Sequence, residues 1–222
     1  MTIDLYVDTS RKGISMAVAT SGQPEGCARV YEEIVNTEAR GEILGESLDT
    51  LLTRVGATLD DVKRVMVTLG PGSLSGLRTG VAFCQGLCFS GKRELYGVTT
   101  LQALACFAHD VAGNTPACSD AAVIIRARTG FWYMRLNGEE FFIETPEVIE
   151  RIKNAKVKAI VADAPAQEDE ALKAAFAEIG ASVSPDTGKP LDMWAPLFST
   201  VKPSLIQEAN YIQPSYFEKL KS

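Results

Sequence analysis

The chain has one histidine, His109, no run of 18 apolar residues, and less base than acid, 22 Lys and Arg against 28 Asp and Glu. Each shortage excludes something. Without such an apolar run no membrane-spanning helix is expected. His109 follows the helix-like Ala105-Cys106-Phe107-Ala108, with no nucleophile or second ligand beside it, and reads as a helix-end or surface residue. A net charge of −6 argues against this chain alone gripping a nucleic-acid backbone, which needs a basic face. The first residues, with Asp4 and Asp8, lack the basic start and apolar stretch of a signal peptide, so the expected location is cytoplasmic. The five cysteines, Cys27, Cys84, Cys88, Cys106 and Cys118, are odd in number and sit in apolar surroundings. They read as reduced core thiols rather than a disulfide framework. Cys84 and Cys88 could share a helix face, but a metal site wants a second pair or histidines, so no metal is expected.

What is present is the composition of an ordinary globular protein, 46% apolar and 23% charged, long enough to bury a full core. The first part reads as strands 3–8, 14–20 and 28–35, then a helix over 38–55 with Ile43, Leu44, Leu48, Leu51 and Leu52 at helical spacing. Strand 64–69, helix 76–90, strand 95–98 and helix 100–112 follow. The polar turn cluster Gly113-Asn114-Thr115-Pro116 separates a subdomain 1–112 from a subdomain 113–222. Beyond it come strands 121–125, 131–136 and 140–143, the last two joined by Asn137-Gly138, a strong hairpin signal. A helix opens at Thr145-Pro146-Glu147 with Thr145 as its cap. Strand 159–162, a helix over 168–179 ended by Gly180, a loop 185–190 and a helix over 191–207 complete the chain, whose final segment packs back on the first subdomain. No internal repeat is visible by eye. The order β-β-β-α-β-α-β-α supports a mixed α/β fold.

The most informative run is Gly70-Pro71-Gly72-Ser73-Leu74-Ser75-Gly76-Leu77-Arg78-Thr79-Gly80, between a strand and a helix. Such a turn can gather unpaired N–H groups at one point, as an anion site requires. It fits no common phosphate or nucleophile motif. A Walker loop needs Lys after its second glycine, and here Gly76 is followed by Leu77 and Arg78. A hydrolase elbow needs a central serine, and Leu74 holds that place. A dinucleotide fingerprint needs a third glycine where Ser75 stands. The plainest alternative is a turn whose Ser73 or Ser75 caps the following helix.

The run resembles the Gly-Pro-Gly-Ser-Phe-Thr-Gly-x-Arg-x-Gly motif of the TsaB (YeaZ) family, with Leu74 for Phe and Ser75 for Thr. The resemblance extends through Val7-Asp8-Thr9-Ser10, Gly86-Leu87 and Gly97-Val98-Thr99-Thr100-Leu101-Gln102-Ala103-Leu104. It is looser beyond. Ile125 to Tyr133 is similar to a family segment in which Arg126 stands for Asp and Phe131 for Glu, and Pro214-Ser215-Tyr216-Phe217 resembles the family's ending. The resemblance implies an actin-like (ASKHA, ribonuclease H-like) fold of two subdomains, duplicated from one motif. It implies a non-catalytic scaffold that pairs with a TsaD-type paralogue and a TsaE-type ATPase, for threonylcarbamoylation of adenosine 37 in ANN-decoding tRNAs. It implies no intrinsic cofactor, with ATP only at the level of the complex and tRNA reached through the partners.

Beside that stands the reading of the residues. In ATP-binding members of the fold an Asp like Asp8 is followed at once by glycine; here Thr9 intervenes and the glycine waits until Gly13. Asp8 could serve a metal, but a strand-end turn former suits it better. The TsaD metal pair His-x-x-x-His has no counterpart, the corresponding positions being Asn36, Arg40 and Leu44. Gly76, Gly80, Cys84 and Cys88 form a small-residue stripe at four-residue spacing, and Gly41 and Gly45 a shorter one. Such stripes mark close packing, either on the protein's own sheet or on a partner; the resemblance implies the partner, or a second copy of this chain. Arg78 is then a candidate for a charge-assisted bond at that face. The rival function is an ATP-dependent small-molecule kinase or acyl-phosphate transferase of the same fold, using Asp8 and the 70–76 loop. A peptidase ranks last, because no serine has a base beside it.

Overall fold

Ile3 to Val7 are buried without interruption, although Asp4 and Tyr6 alternate with Ile3, Leu5 and Val7. A strand covered on both faces belongs in the middle of a sheet, and β1 (Ile3–Asp8) lies there. The structure, a computed structural model, describes residues 1–20, 30–38, 41–108, 121–210 and 212. It divides into two units, 1–100 with 190–210 and 101–189 with 211–222. The polar cluster 113–116 and His109 lie outside the described residues, as do Cys27, Cys118, Arg40 and the family-like ending at 214–217.

In the first unit β1, β2 (Ile14–Thr20) and β3 (Tyr31–Asn36) form an antiparallel meander. Strands β4 (Val62–Thr68) and β5 (Glu94–Val98) then add in parallel on the other side of β1, giving the order β3-β2-β1-β4-β5. Helices α1 (Leu44–Arg54) and α2 (Leu74–Cys88) cover one face, joining Leu48, Leu51, Val81 and Cys84 to Leu5, Val7 and Met16 in a single core. The other face packs on a 3-10 helix, Leu191–Ser199, with Tyr6 edge-on to Trp194 at 6.4 Å and Tyr96 edge-on to Phe198 at 4.8 Å. Asp4, buried at that face, is held by Arg64 through two bonds of 2.7 and 2.6 Å.

The second unit repeats the plan. Strands β6 (Ala122–Arg128), β7 (Phe131–Leu136) and β8 (Glu139–Glu144) form the meander. Strands β9 (Ala159–Ala162) and β10 (Ser182–Pro185) add in parallel, in the order β10-β9-β6-β7-β8. Between the units' sheets in sequence comes α3 (Thr100–Ala105); α4 (Thr145–Ala155), α5 (Ala164–Glu168) and α6 (Glu170–Ile179) belong to the second unit. Among the described residues both sheets thus have one topology, the actin-like one. The duplication escapes the eye in sequence because a topology fixes which positions are buried, not which apolar residue fills them. The Asn137-Gly138 hairpin has φ of 51° and 86°, the left-handed pair that a two-residue turn requires.

Several expectations need correction, the helix over 100–112 among them, since α3 ends at Ala105 and residues 106–108 are not helical. The helix over 191–207 stops as a 3-10 helix at Ser199, and residues 202–203 and 206–210 carry no regular structure; Pro196 and Pro203 each lack the N–H that an α-helix would use. Glu144, not Thr145, is the residue before α4, and the Thr145 hydroxyl accepts from Trp132 Nε1 at 2.8 Å. The helix at 38–55 begins only at Leu44, after a 3-10 turn Gly41–Ile43, and Asn36 ends β3, so Asn36 and Leu44 share no helix face. Cys84 and Cys88 are free buried thiols, whereas Cys106 is disulfide-bonded. Spacing along a chain does not say which sulfurs meet in space.

Candidate functional site

Strands β1 and β4 are parallel neighbours, so the chain leaves both at the same edge of the sheet. There the Thr68 hydroxyl and the Ser10 N–H both donate to Asp8 Oδ1, each at 2.8 Å. Asp8 is therefore occupied in shaping the strand-end turn. The glycine-rich loop settles on that turn. Ser73 N donates to Ser10 O at 2.7 Å, and Thr100 N to Gly70 O at 2.7 Å. Gly70 has φ of 112°, a left-handed conformation that favours glycine, and its peptide with Pro71 is cis. Ser73 caps α2, its hydroxyl accepting from Gly76 N at 3.3 Å.

The glycine spacing now has a physical cause. A Cβ on Gly72 would sit 2.1 Å from Ser10 O, one on Gly76 2.1 Å from Thr9 O, and one on Gly80 2.2 Å from Thr9 Oγ1. These three lie four apart, which stacks them along the helix approach and lets the end of β1 lie directly on the loop and helix backbone. The stripe continues inward through Cys84 and Cys88, both in the core. Burial raises the Cys84 thiol well above the usual range and the Cys88 thiol to about 11. Neither is a thiolate at neutral pH. Gly80, Cys84 and Cys88 thus pack on their own unit, and Gly76 is only partly accessible. Of the positions assigned to a partner, Gly45 is exposed with nothing within 4 Å of its would-be Cβ, and Gly41 starts the turn before α1.

The outward face of α2 has other residues. Leu74 is 50% exposed and Phe89, just past the helix, 80%. Ala82 and Gly86 are exposed between them, and Gly86 has nothing within 4 Å. Arg78 is exposed on this helix and makes no ion pair among the described residues. Val81 and Leu77, both buried, flank Gly80 and fix the inward side of the helix.

A crevice of about 580 Å³ is lined among others by Thr9, Lys12, Thr37, Glu38, Glu42, Ser75 and Thr79. In the second unit Arg126 is exposed, its backbone N–H donating to Asp163 at 2.8 Å. Phe131 stacks on Phe142 at 5.1 Å under the Arg128 guanidinium. Among the described residues no group of three or more His, Cys, Asp or Glu is placed to hold a metal ion, and no helix is long and apolar enough to cross a membrane.

Comparison with known proteins adds the following. The family model described as "TsaD: tRNA N6-adenosine threonylcarbamoyltransferase" matches residues 35–200. The TsaB protein of Escherichia coli (strain K12), named for tRNA threonylcarbamoyladenosine biosynthesis, is 31% identical over 101 residues, 46% of this chain and 42% of that protein. A tRNA N6-adenosine threonylcarbamoyltransferase of Clostridium beijerinckii is 30% identical over 79 residues, 36% of this chain and 21% of that one. The matches thus span less than half the length of these relatives. A crystal structure of a protein with similarity to peptidase YEAZ, from Pseudomonas aeruginosa, superposes with a TM-score of 0.65 at 18% identity, over 96% of this chain and all of the other. That likeness shows the fold.

Proposed function

Since this chain belongs to the TsaD (tRNA N6-adenosine threonylcarbamoyltransferase) family and is a TsaB/YeaZ member of it, we propose that it serves tRNA threonylcarbamoyladenosine biosynthesis as a scaffold without catalysis of its own. One observation carries the reading. The conspicuous glycine loop is taken up in packing on Thr9 and Ser10, while the outward side of α1 and α2 presents Gly45, Ala82, Gly86, Leu74 and Phe89 to solvent. Small residues beside exposed apolar ones let another helix approach closely and bury Phe89 as an anchor. A TsaD-type protein is the partner of this face, and in its absence a second copy of the chain. A TsaE-type ATPase joins the pair, and tRNA is met through the complex, in keeping with a net charge of −6.

The buried thiols with raised pKa and the engaged Asp8 support the absence of a nucleophile or phosphate-handling residue at this edge. The test has two arms. A tagged TsaD-type protein should co-purify with this chain, and the purified chain alone should turn over no ATP. ATP turnover abolished by Asp8→Ala would replace the scaffold with a kinase or acyl-phosphate transferase of the same fold.

A further inference from the structure

Strand β10 is the edge of the second unit's sheet, with β9 on one side and, among the described residues, no strand on the other. Ser182 N donates to Lys158 O at 2.9 Å, so the backbone groups of Ser182 and Ser184 point to the β9 side. Backbone groups alternate sides along a strand. The N–H and C=O of Val183 therefore point outward, where nothing among the described residues meets them. The outward positions on either side have less to offer. Ala181 spends its N–H on Phe176 O at 3.2 Å, and Pro185 has none. Val183 is thus the residue of this edge with both a donor and an acceptor to spare.

The Val183 side chain shares a face with its register partner Ile160, which lies in the core that α6 covers. Beside it is a groove of about 290 Å³, lined by Phe176, Ala177, Ala181 and Val183 with Gln167 and Lys173. Ala177 is exposed there, and Val183 is 36% exposed. The Gln167 amide already donates to Ala162 O at 2.7 Å. Lys173 is exposed and makes no ion pair among the described residues. The lining contains no acid, and Glu178, further along α6, is taken by Lys153 at 2.7 Å.

A free carboxylate or phosphate would satisfy Lys173 alone. A helix laid in the groove would leave the Val183 backbone pair unbonded. An extended peptide satisfies the edge, the apolar groove and the lysine together. We propose that this edge binds an extended, acidic segment of another protein, one apolar residue of which exchanges both backbone bonds with Val183. Residues directly opposite in an antiparallel pair put their side chains on one face, so that apolar side chain enters the groove against Phe176 and Ala177. A residue two positions along shares the face, and an acid there reaches Lys173. Pairing stops at this one residue, because Ala181 and Pro185 supply no further N–H, so a strand of four residues does not template a long sheet with a second copy. The edge belongs to the second unit and not to α1 or α2, so the inference stands apart from the scaffold reading and is measured without a TsaD-type protein.

The probe is a fluorescein-labelled peptide with blocked ends, Ser-Glu-Thr-Ile-Thr-Ser, titrated with the full chain and followed by anisotropy. It should bind with a Kd on the order of 100 µM. The same peptide with N-methyl-isoleucine cannot donate to Val183 O and should bind at least about tenfold more weakly. Ala177→Glu puts bulk and charge at an exposed position of the groove and should weaken the peptide by a similar factor at an unchanged thermal midpoint. Lys173→Glu should do the same, and a peptide with lysine in place of its glutamate should recover the affinity. The proposal is overturned if the peptide gives no signal at chain concentrations on the order of 1 mM. It is equally overturned if the N-methyl peptide binds as well as the parent, or if the charge exchange restores nothing. A light-scattering mass of two chains that Ala177→Glu reduces to one would assign the groove to a second copy and overturn it as well.

Discussion

Replacing Gly80 by alanine and Gly86 by alanine makes the same chemical change six residues apart on one helix, and the two should move stability in opposite directions. At Gly86 a Cβ meets nothing within 4 Å. Gly86→Ala then acts only on backbone freedom and should stabilise by about 0.5–1 kcal/mol. At Gly80 the same Cβ would lie 2.2 Å from Thr9 Oγ1, 3.1 Å from its Cγ2 and 3.2 Å from its Cβ. Thr9 is β-branched and buried, so it has little rotamer freedom to move aside and the end of β1 must shift with it. Overpacking of this kind costs about 1–3 kcal/mol, against a helix gain of about 1 kcal/mol, for a net loss of about 1 kcal/mol. Thr9→Ala should relieve the clash. The Thr9 hydroxyl has no partner to lose, so the double variant should show a coupling of at least about 1 kcal/mol. The assay is urea unfolding followed by Trp194 fluorescence in a Trp132→Phe background, which leaves one of the two tryptophans, in the first unit. Equal stabilisation by both alanines, or additivity of Gly80→Ala with Thr9→Ala, would refute the packing account.

Other outcomes follow from the same geometry. Asp4→Asn should destabilise the first unit by about 1–3 kcal/mol, since it leaves the Arg64 guanidinium with a neutral partner at a buried site, and chemical unfolding measures it. Hydrogen bonds from Thr58 and the N-terminal ammonium hold the Asp61 carboxyl at about 2, below its usual value. Its contribution to stability is therefore present above the unfolded value near 3.8 and is lost as pH falls through 2, so Asp61→Asn should flatten that acid limb. With Cys88 raised to about 11 and Cys84 higher than usual, a disulfide reagent at pH 8 should leave both unmodified until the chain is unfolded. Fast labelling of either in the native protein would contradict their place in the core.

Much of the fold was legible because strands here announce themselves by burial. Segments 3–8, 14–20, 131–136 and 159–162 are read from β-rich apolar runs and stand in the structure with those bounds. A serine cap at 73 or 75 was legible because a hydroxyl before a helix has few other uses, and the structure gives Ser73 that place. What stayed hidden depended on which side of an element faces in. The four-residue glycine and cysteine stripe on α2 is equally periodic whether it meets Thr9 or a partner; only the third dimension puts Thr9 against Gly80. The particular bonds that hold residues 204–210 were equally hidden. Ser204 N donates to Leu95 O and Asn210 N to Leu69 O, bonds between residues more than a hundred positions apart. No local pattern encodes them. Thr145 misled for a related reason: a threonine before a proline suits a cap, but the nearby indole of Trp132 uses its hydroxyl instead.

The scaffold claim is tested most directly by the light-scattering mass of this chain mixed with its TsaD-type partner, wild type beside Gly86→Glu. Gly86 is exposed and free of neighbours, so the glutamate should leave the fold intact while placing a charge in the proposed contact. The account predicts the summed mass of both chains for wild type and two separate masses for Gly86→Glu at an unchanged thermal midpoint. A complex that survives Gly86→Glu, or none with wild type, would contradict it.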